Sequence, residues 1–483
     1  MRLRPPPPKP DPVEALLALV DDPAVPQFLI APCQAMPLGV MVRVLLDHLV
    51  DDAFLEPLRQ QHAPQHYTRA LTLTALVRLM LQIAAGNRAS LFAAYQADQA
   101  CAQPTIATSH QALYQKLGRV PPALTEALVR LSCARLRPLV AVMPAAEPPL
   151  LPGYRARILD GNVLTKTEHR LKPLRAKANG CLPGKALVVY EPEVGLVTDL
   201  IMAEDAYAQE RVLARDLVPR VEPGEVWIAD RHFATAPFTF GVQRRGGFFL
   251  VRQHQSNLPV AALTEPGAAG QTETGTVYEQ RVRTVDGATG ETMDLRRIEI
   301  RLFAATRDGD RVLGLLTNLP AAVSALTIAT LYLKRWRIET LFQFLTESLH
   351  CEVPSLGQPR AALFAFAMAL VAANALAVVR ASLRAAHGVE AAAEVSGYYL
   401  ADEIGTDYRV LLKFVPPERW PDGRATPPAE LARLLTTVAG LVNVRALQRH
   451  RRGPKKPRPQ RSHDKRHSHY STYRLLKEDE DSC

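Results

Sequence analysis

The chain has 483 residues, 47% of them hydrophobic, which supports about two to four domains around large cores and excludes global disorder. Lysine and arginine outnumber aspartate and glutamate, 58 to 48, and the resulting +10 favours an anionic partner over a cationic substrate. The six cysteines (Cys33, Cys101, Cys133, Cys181, Cys351 and Cys483) form neither a C-x-x-C pair nor a zinc spacing, so free thiols in a reducing cytosol are expected.

Residues 1–11 are a proline-rich tail, expected to be extended and lacking the apolar stretch of a secretory signal. From 12 to 150, VEALLALV, LGVMVRVLLDHLV, LTLTALVRLMLQIAA and ALTEALVRLSCARLRPLV repeat apolar residues at three- and four-residue steps, which predicts a helical domain. The prolines of PAAEPPLLP close it. Over 151–236 the pattern changes. YRARILDGNVL, KALVVYEPEVGLVTDLIMAED and VWIADRHF predict strands, the middle one a hairpin turning near Pro192 to Gly195, with a helix in AQERVLARDLVPRV. Residues 237–323 read as a β-rich insertion, helical spacing returns over 324–400, and 401–445 continue it. The apolar run 361–379 is long enough to cross a bilayer, but it is alanine-rich and isolated, with Asn374 its strongly polar residue. It reads as a buried central helix, with no membrane partner. Residues 446–483 form a basic tail, in which Lys455 and Lys456 belong to a run of cations opposed before residue 475 by Asp464 alone. Such a segment attracts duplex phosphates.

Three acids stand where element ends are predicted. Asp160 closes RARILD, Asp230 closes EVWIAD, and Glu339 lies in the helix after the β-rich stretch. Carboxylate oxygens suit hard ions such as Mg2+, and two ions can stabilise both oxygens of a phosphoryl transfer. Tyr332, Arg335 and Glu339 are spaced i, i+3, i+7, which predicts one helical face carrying a guanidinium beside a carboxylate. An ordinary Arg–Glu pair with a packed tyrosine fits the same spacing.

These residues resemble the Y-x2-R-x3-E-x6-K signature of the insertion-sequence-4 family of DDE transposases. ILDGN resembles its first acidic motif, IADRHF its second, and KRWRIE its third, over roughly residues 150–400. The resemblance implies an α/β fold: a ribonuclease H-like catalytic core interrupted by a β-rich insertion, with a helical N-terminal domain and a helical C-terminal region. It implies catalysis and metal binding by Asp160, Asp230 and Glu339 with two Mg2+ or Mn2+ ions. DNA contacts would come from Tyr332, Arg335 and Arg252 of FFLVRQHQSN, with Lys455 and Lys456 in the tail. It further implies double-stranded DNA partners (terminal inverted repeats and target), a homodimeric synaptic complex, and a bacterial cytoplasmic, nucleoid-associated protein. The reaction would be cleavage at element ends and strand transfer. An inactive DNA-binding derivative and a metal-dependent nuclease are the alternatives.

One position departs from the signature: its lysine is Thr346, followed by Glu347. No tryptophan lies in the insertion, leaving Tyr278 or Phe303 to stack on a base there. Ser109 to Lys116 in the helical domain carries no decisive DNA-reading pattern. Gly180-Cys-Leu-Pro-Gly184-Lys185 is one residue short of a phosphate loop and lacks its Ser/Thr, so ATP binding is rejected. Lys166 and His169 are either DNA contacts or plain loop residues.

Overall fold

The computed structural model describes residues 12–22, 25–65, 71–101, 104–165, 171–175, 182–254, 256–306, 309–415, 420 and 426–450. The chain divides into two units, Met1–Gln448 and Arg449–Cys483, and of the second only Arg449 and His450 are described. The proline-rich tail, Lys166, His169, Gly180, Cys181, Lys455 and Lys456 therefore lie outside the described residues.

Helices come first: α1 (Pro12–Val20), α2 (Ile30–Ala35), α3 (Pro37–Leu49), α4 (Asp52–His62), α5 (Leu73–Ala84), α6 (Leu91–Gln99), α7 (His110–Leu117) and α8 (Pro122–Val142). Their starts follow local chemistry. Asp51, Thr72, Ser90 and Ser109 each accept a backbone N–H of the first turn of α4, α5, α6 and α7. Proline, which has no N–H to lose at a helix start, opens α3 and α8.

The sheet follows: β1 (Arg155–Leu164), β2 (Gly184–Glu191), β3 (Leu196–Ala203), the short α9 (Glu210–Leu213), β4 (Glu225–Ala229), α10 (Ala236–Arg244), β5 (Phe248–Arg252), β6 (Val260–Ala262), β7 (Gly267–Gln271), β8 (Gly275–Val285), β9 (Thr292–Leu302) and β10 (Val312–Thr317). The chain ends in α11 (Ala325–Leu333), α12 (Trp336–Ser348), α13 (Pro359–His387), α14 (Val389–Ala393), α15 (Gly397–Phe414) and α16 (Pro428–Ala439). The fold is mixed α/β, one large sheet with many helices. Its strand order is β3-β2-β1-β4-β5-β10-β9-β8-β6, with β7 paired to β8. The β1–β4 and β4–β5 pairs are parallel, and the β1–β2–β3 meander is antiparallel.

Alternate residues of the central strands enter two cores. Ile158, Val188, Ile228 and Leu250 join one that includes α8 and α13, while Leu159, Val189, Ala229 and Val251 join another with Phe233, Phe238 and Phe240. The sheet is thus covered on both faces, as its near-continuous apolar strands require. The β-rich stretch expected from 237 begins differently. α10 and β5 occupy its first residues, and β5 pairs parallel with β4. The antiparallel strands β6 to β10 then extend the same sheet through β10 on β5. α15 likewise runs across the 400/401 boundary.

The apolar run 361–379 lies inside the 29-residue α13, whose most apolar stretch, of mean hydropathy 2.4, is 94% buried. Asn374 explains its own presence there. Its Oδ1 accepts from Val197 N–H at 2.7 Å, and its Nδ2 donates to Val197 C=O at 2.9 Å and to Ser132 Oγ at 2.8 Å. β3 is an edge strand, so this amide satisfies backbone groups that would otherwise lack partners inside the core.

Candidate active site

In the parallel pairing of β1 with β4, Ile158 faces Ile228 and Leu159 faces Ala229. Continued one step, this register sets Asp160 beside Asp230. β4 ends at Ala229 while β1 runs on to Leu164, held by β2 through pairs from Asp160–Val188 to Leu164–Gly184. Asp160 is therefore not at a strand end, as the sequence suggests. It sits mid-strand, at the point where its neighbour stops and the sheet opens. The hairpin register with β2 is what prolongs the strand.

Asp160 shares the face of Ile158, and Asp230 that of Ile228, by two-residue periodicity. Asp230 also caps the 3₁₀ turn Arg231–Phe233, its Oδ1 accepting from His232 N–H at 2.8 Å.

Tyr332, Arg335 and Glu339 do not share one continuous helix. α11 ends at Leu333 and α12 starts at Trp336. The joint between them is tightened by i to i−3 bonds from Lys334 to Leu331 and from Arg335 to Tyr332. Arg335 and Glu339 keep their one-turn spacing because both stand at the start of α12. Arg335 links the acids: Nη1 donates to Asp160 Oδ2 at 3.0 Å and Nη2 to Glu339 Oε1 at 2.6 Å. Its Nε is buried without a partner among the described residues. Tyr332 is buried at the end of α11, and burial pushes its hydroxyl up to about 12, with Asp230 adding and Arg335 and Arg252 opposing.

Burial raises Asp160 to about 6, against the pull of Arg335, with Asp230 and Glu210 pushing further up. Glu210, the first residue of α9, has no sequence signal, yet it stands directly over β1. A Cβ at Gly161 would come within 2.4 Å of its carboxyl carbon, so the glycine leaves room for this side chain to lie close. His232 Nδ1 lies 3.3 Å from Asp230 Oδ2 and 3.8 Å from Glu210 Oε2, and Lys185 Nζ lies 3.6 Å from Glu210 Oε1. Glu210 and His232 are thus the neighbours that sequence reading missed. His232 could have been noticed inside IADRHF, whereas Glu210 sits in an unremarkable helical pattern.

Other expected contacts fare differently. Arg252 is on β5 and its Nη2 donates to Asp310 Oδ2 at 2.7 Å. Thr346 Oγ1 donates to Phe342 C=O at 3.0 Å, inside its own helix. Tyr278 is covered by the Arg301 guanidinium, 4.1 Å from the ring centroid, while Phe303 is exposed. Lys116 Nζ donates to Leu71 C=O at 2.6 Å, which turns it toward the protein.

The donor set of Asp160, Asp230 and Glu339 is all oxygen, which fits Mg2+ or Mn2+. Among the described residues no three such side chains converge closely enough to hold an ion as they stand. A cation does already join two of them, since Arg335 bridges Asp160 and Glu339.

Residues 151–375 match the family model described as the transposase DDE domain, which supports a DDE transposase. Among solved structures, a cryo-EM piggyBac transposase synaptic complex with hairpin DNA is similar, with a TM-score of 0.37 and 12% identity over 80% of this chain and 84% of that one. No curated protein matches the chain.

Proposed function

We propose that the transposase DDE domain over residues 151–375 belongs to a DNA-cutting and DNA-joining enzyme of the insertion-sequence-4, YREK-type subgroup, with a ribonuclease H-like core. One observation carries the reading. The β1–β4 register brings Asp160 beside Asp230, and Arg335 bridges Asp160 to Glu339, so three acids distant in sequence share one neighbourhood where β4 ends, joined by a guanidinium. The order β3-β2-β1-β4-β5, with the first three strands antiparallel and the rest parallel, supports the fold assignment.

Asp160, Asp230 and Glu339 would hold two divalent ions, with Mg2+ or Mn2+ fitting their oxygens. Bound ions would activate the attacking oxygen and stabilise the leaving one. The chain's own residues position the rest. Arg335, displaced from the two carboxylates as they turn to metal, would grip the phosphate being cut. Buried Tyr332 supports that guanidinium from α11. Water would attack the phosphodiester at an element end and release a 3′-hydroxyl. That hydroxyl would then attack a target phosphodiester in the same in-line manner. Arg252 and the tail residues Lys455 and Lys456 would add phosphate contacts. A homodimer would synapse two ends of duplex DNA in the bacterial cytoplasm, at the nucleoid.

The test is a Mg2+-dependent cleavage assay on the DNA flanking the gene, with wild type and Glu339→Gln side by side. Cleavage at the element boundary, lost in the variant, is expected. Substantial cutting by Glu339→Gln would sink the assignment. Thr346, whose hydroxyl is engaged within α12, favours a second reading as an inactive DNA-binding derivative. Specific end binding without cleavage by wild type would select it. Cleavage without joined donor–target product would select a nuclease.

A further inference from the structure

The face of α12 turned away from Glu339 borders a second basic site. Arg337, Thr340, Leu341 and Phe344 follow the i, i+3, i+4, i+7 spacing of one helical face. They line a cavity of about 290 Å³ together with Tyr190 of β2 and Arg380 and Arg384 of α13. Three guanidiniums share this space with one carboxylate, that of Glu147. It is divided between two of them, 3.4 Å from Arg337 Nη1 and 3.5 Å from Arg384 Nη1.

Arg380 feels that carboxylate's charge but makes no ion pair with it. Among the described residues it makes no hydrogen bond and no ion pair. Packing alone holds it. Its guanidinium lies 5.5 Å from the Phe344 ring centroid, and Gly397 leaves the space it occupies, since a Cβ there would come 2.5 Å from Nη2. Burial pushes the Arg380 guanidinium down, with Tyr190 and Glu147 opposing and the like charge of Arg384 adding, although arginine does not deprotonate in proteins. Arg384 Nε is buried without a partner among the described residues. The Tyr190 hydroxyl lies in the field of all three arginines.

Half-buried Arg380 and the buried Arg384 Nε both lack an acceptor among the described residues, and an entering oxyanion would supply one. We propose that the cavity formed by Arg337, Arg380, Arg384 and Tyr190 binds a phosphate group. Carboxylates are singly charged and planar. The excess of two guanidiniums over acid, with forked donors converging from α12 and α13, suits a tetrahedral oxyanion of higher charge. The group could be free phosphate or a backbone phosphodiester of DNA. Only the second source rests on the transposase reading.

The test uses the full chain. Its thermal midpoint is followed against inorganic phosphate, with chloride at matched ionic strength and pH as the control. Wild type should rise saturably above the control. Arg380→Met should weaken the apparent phosphate affinity at least tenfold while folding normally, because it removes a half-buried charge that makes no ion pair among the described residues. Arg380→Gln, which keeps a polar head without the charge, should reproduce the loss and replaces Arg380→Met should that variant not fold. In DNA titrations across salt, a slope reduced by about one in Arg380→Met identifies a backbone phosphate. An unchanged slope with the phosphate response intact identifies free phosphate. A wild-type response no larger than chloride, or one retained in both variants, overturns the proposal. Absent cleavage with the phosphate response intact would count against the transposase reading alone.

Discussion

α12 separates two arginine-centred regions that treat charge in opposite ways. On one side Arg335 gives one donor to Asp160 and another to Glu339, so its charge is already met inside the cluster. On the other side Arg380 faces two further arginines, and the nearest acid, Glu147, is engaged by both of them. A self-paired cluster stays closed until something competes for its carboxylates. An acid-poor cavity needs only an anion. The difference teaches that a basic residue near a candidate active site is not by that fact free to take an anion, since its donors are first met by whichever carboxylates lie within reach.

Breaking the closed cluster should have the largest effect. Asp160→Asn, Asp230→Asn and Glu339→Gln should each lower cleavage by at least about two orders of magnitude while leaving DNA binding in place, as gel-shift and product assays on the same preparations would report. A variant that lost binding and cleavage together would indicate misfolding instead.

The open cavity depends on the placement of α13, which Asn374 fixes to β3 and α8. Asn374→Leu preserves the apolar volume but leaves Val197 N–H and C=O unpaired in the core, while the Ser132 hydroxyl keeps its bond to Val129 C=O. Urea unfolding should show a loss of about 2–4 kcal/mol. A neutral result would mean that water or a shifted helix satisfies the edge strand.

A buried acid away from both regions calibrates them. Asp407 of α15 accepts from Gly39 N–H at 3.3 Å, and burial, with Glu403 adding, raises it to about 6. An unfolded aspartate titrates near about 3.9. Between those values the folded state holds a proton that the unfolded state lacks. This contribution is therefore full below about pH 4 and is lost as pH rises through about 6, on the order of 2 kcal/mol. Asp407→Asn should flatten that segment of the stability–pH curve, and an unaltered slope would reassign it to other groups.

The smallest effect separates the two regions most directly. In EDTA, Arg335→Met should leave the salt slope of DNA binding nearly unchanged, because Arg335 is occupied by carboxylates. In Ca2+, which takes the same oxygen ligands, it should reduce the slope by about one. Arg380→Met, if its anion is a DNA phosphate, should give that reduction in both buffers. Equal behaviour of the two variants would erase the contrast between closed and open clusters.

Much of this molecule was legible from residues in order. Three- and four-residue periodicity marked α3, α5 and α8, and the turn between Pro192 and Gly195 marked the β2–β3 hairpin. The acids of ILDGN and IADRHF and the Arg335–Glu339 spacing singled out the residues that meet at the opening of the sheet. Such signals are local, because helix period, strand alternation and turn chemistry act over a few residues. Tertiary structure alone decided the rest. It prolonged β1 past Asp160 by pairing it with β2, and it broke the helix between Tyr332 and Glu339. It brought Glu210 over Gly161, across 49 residues of chain. It also gathered Arg337, Arg380 and Arg384 near a single acid, Glu147, from the segment that follows α8. None of these can be read from spacing, because each depends on which distant carboxylate or strand arrives beside a given residue, and that is set by register and packing rather than by neighbours in sequence.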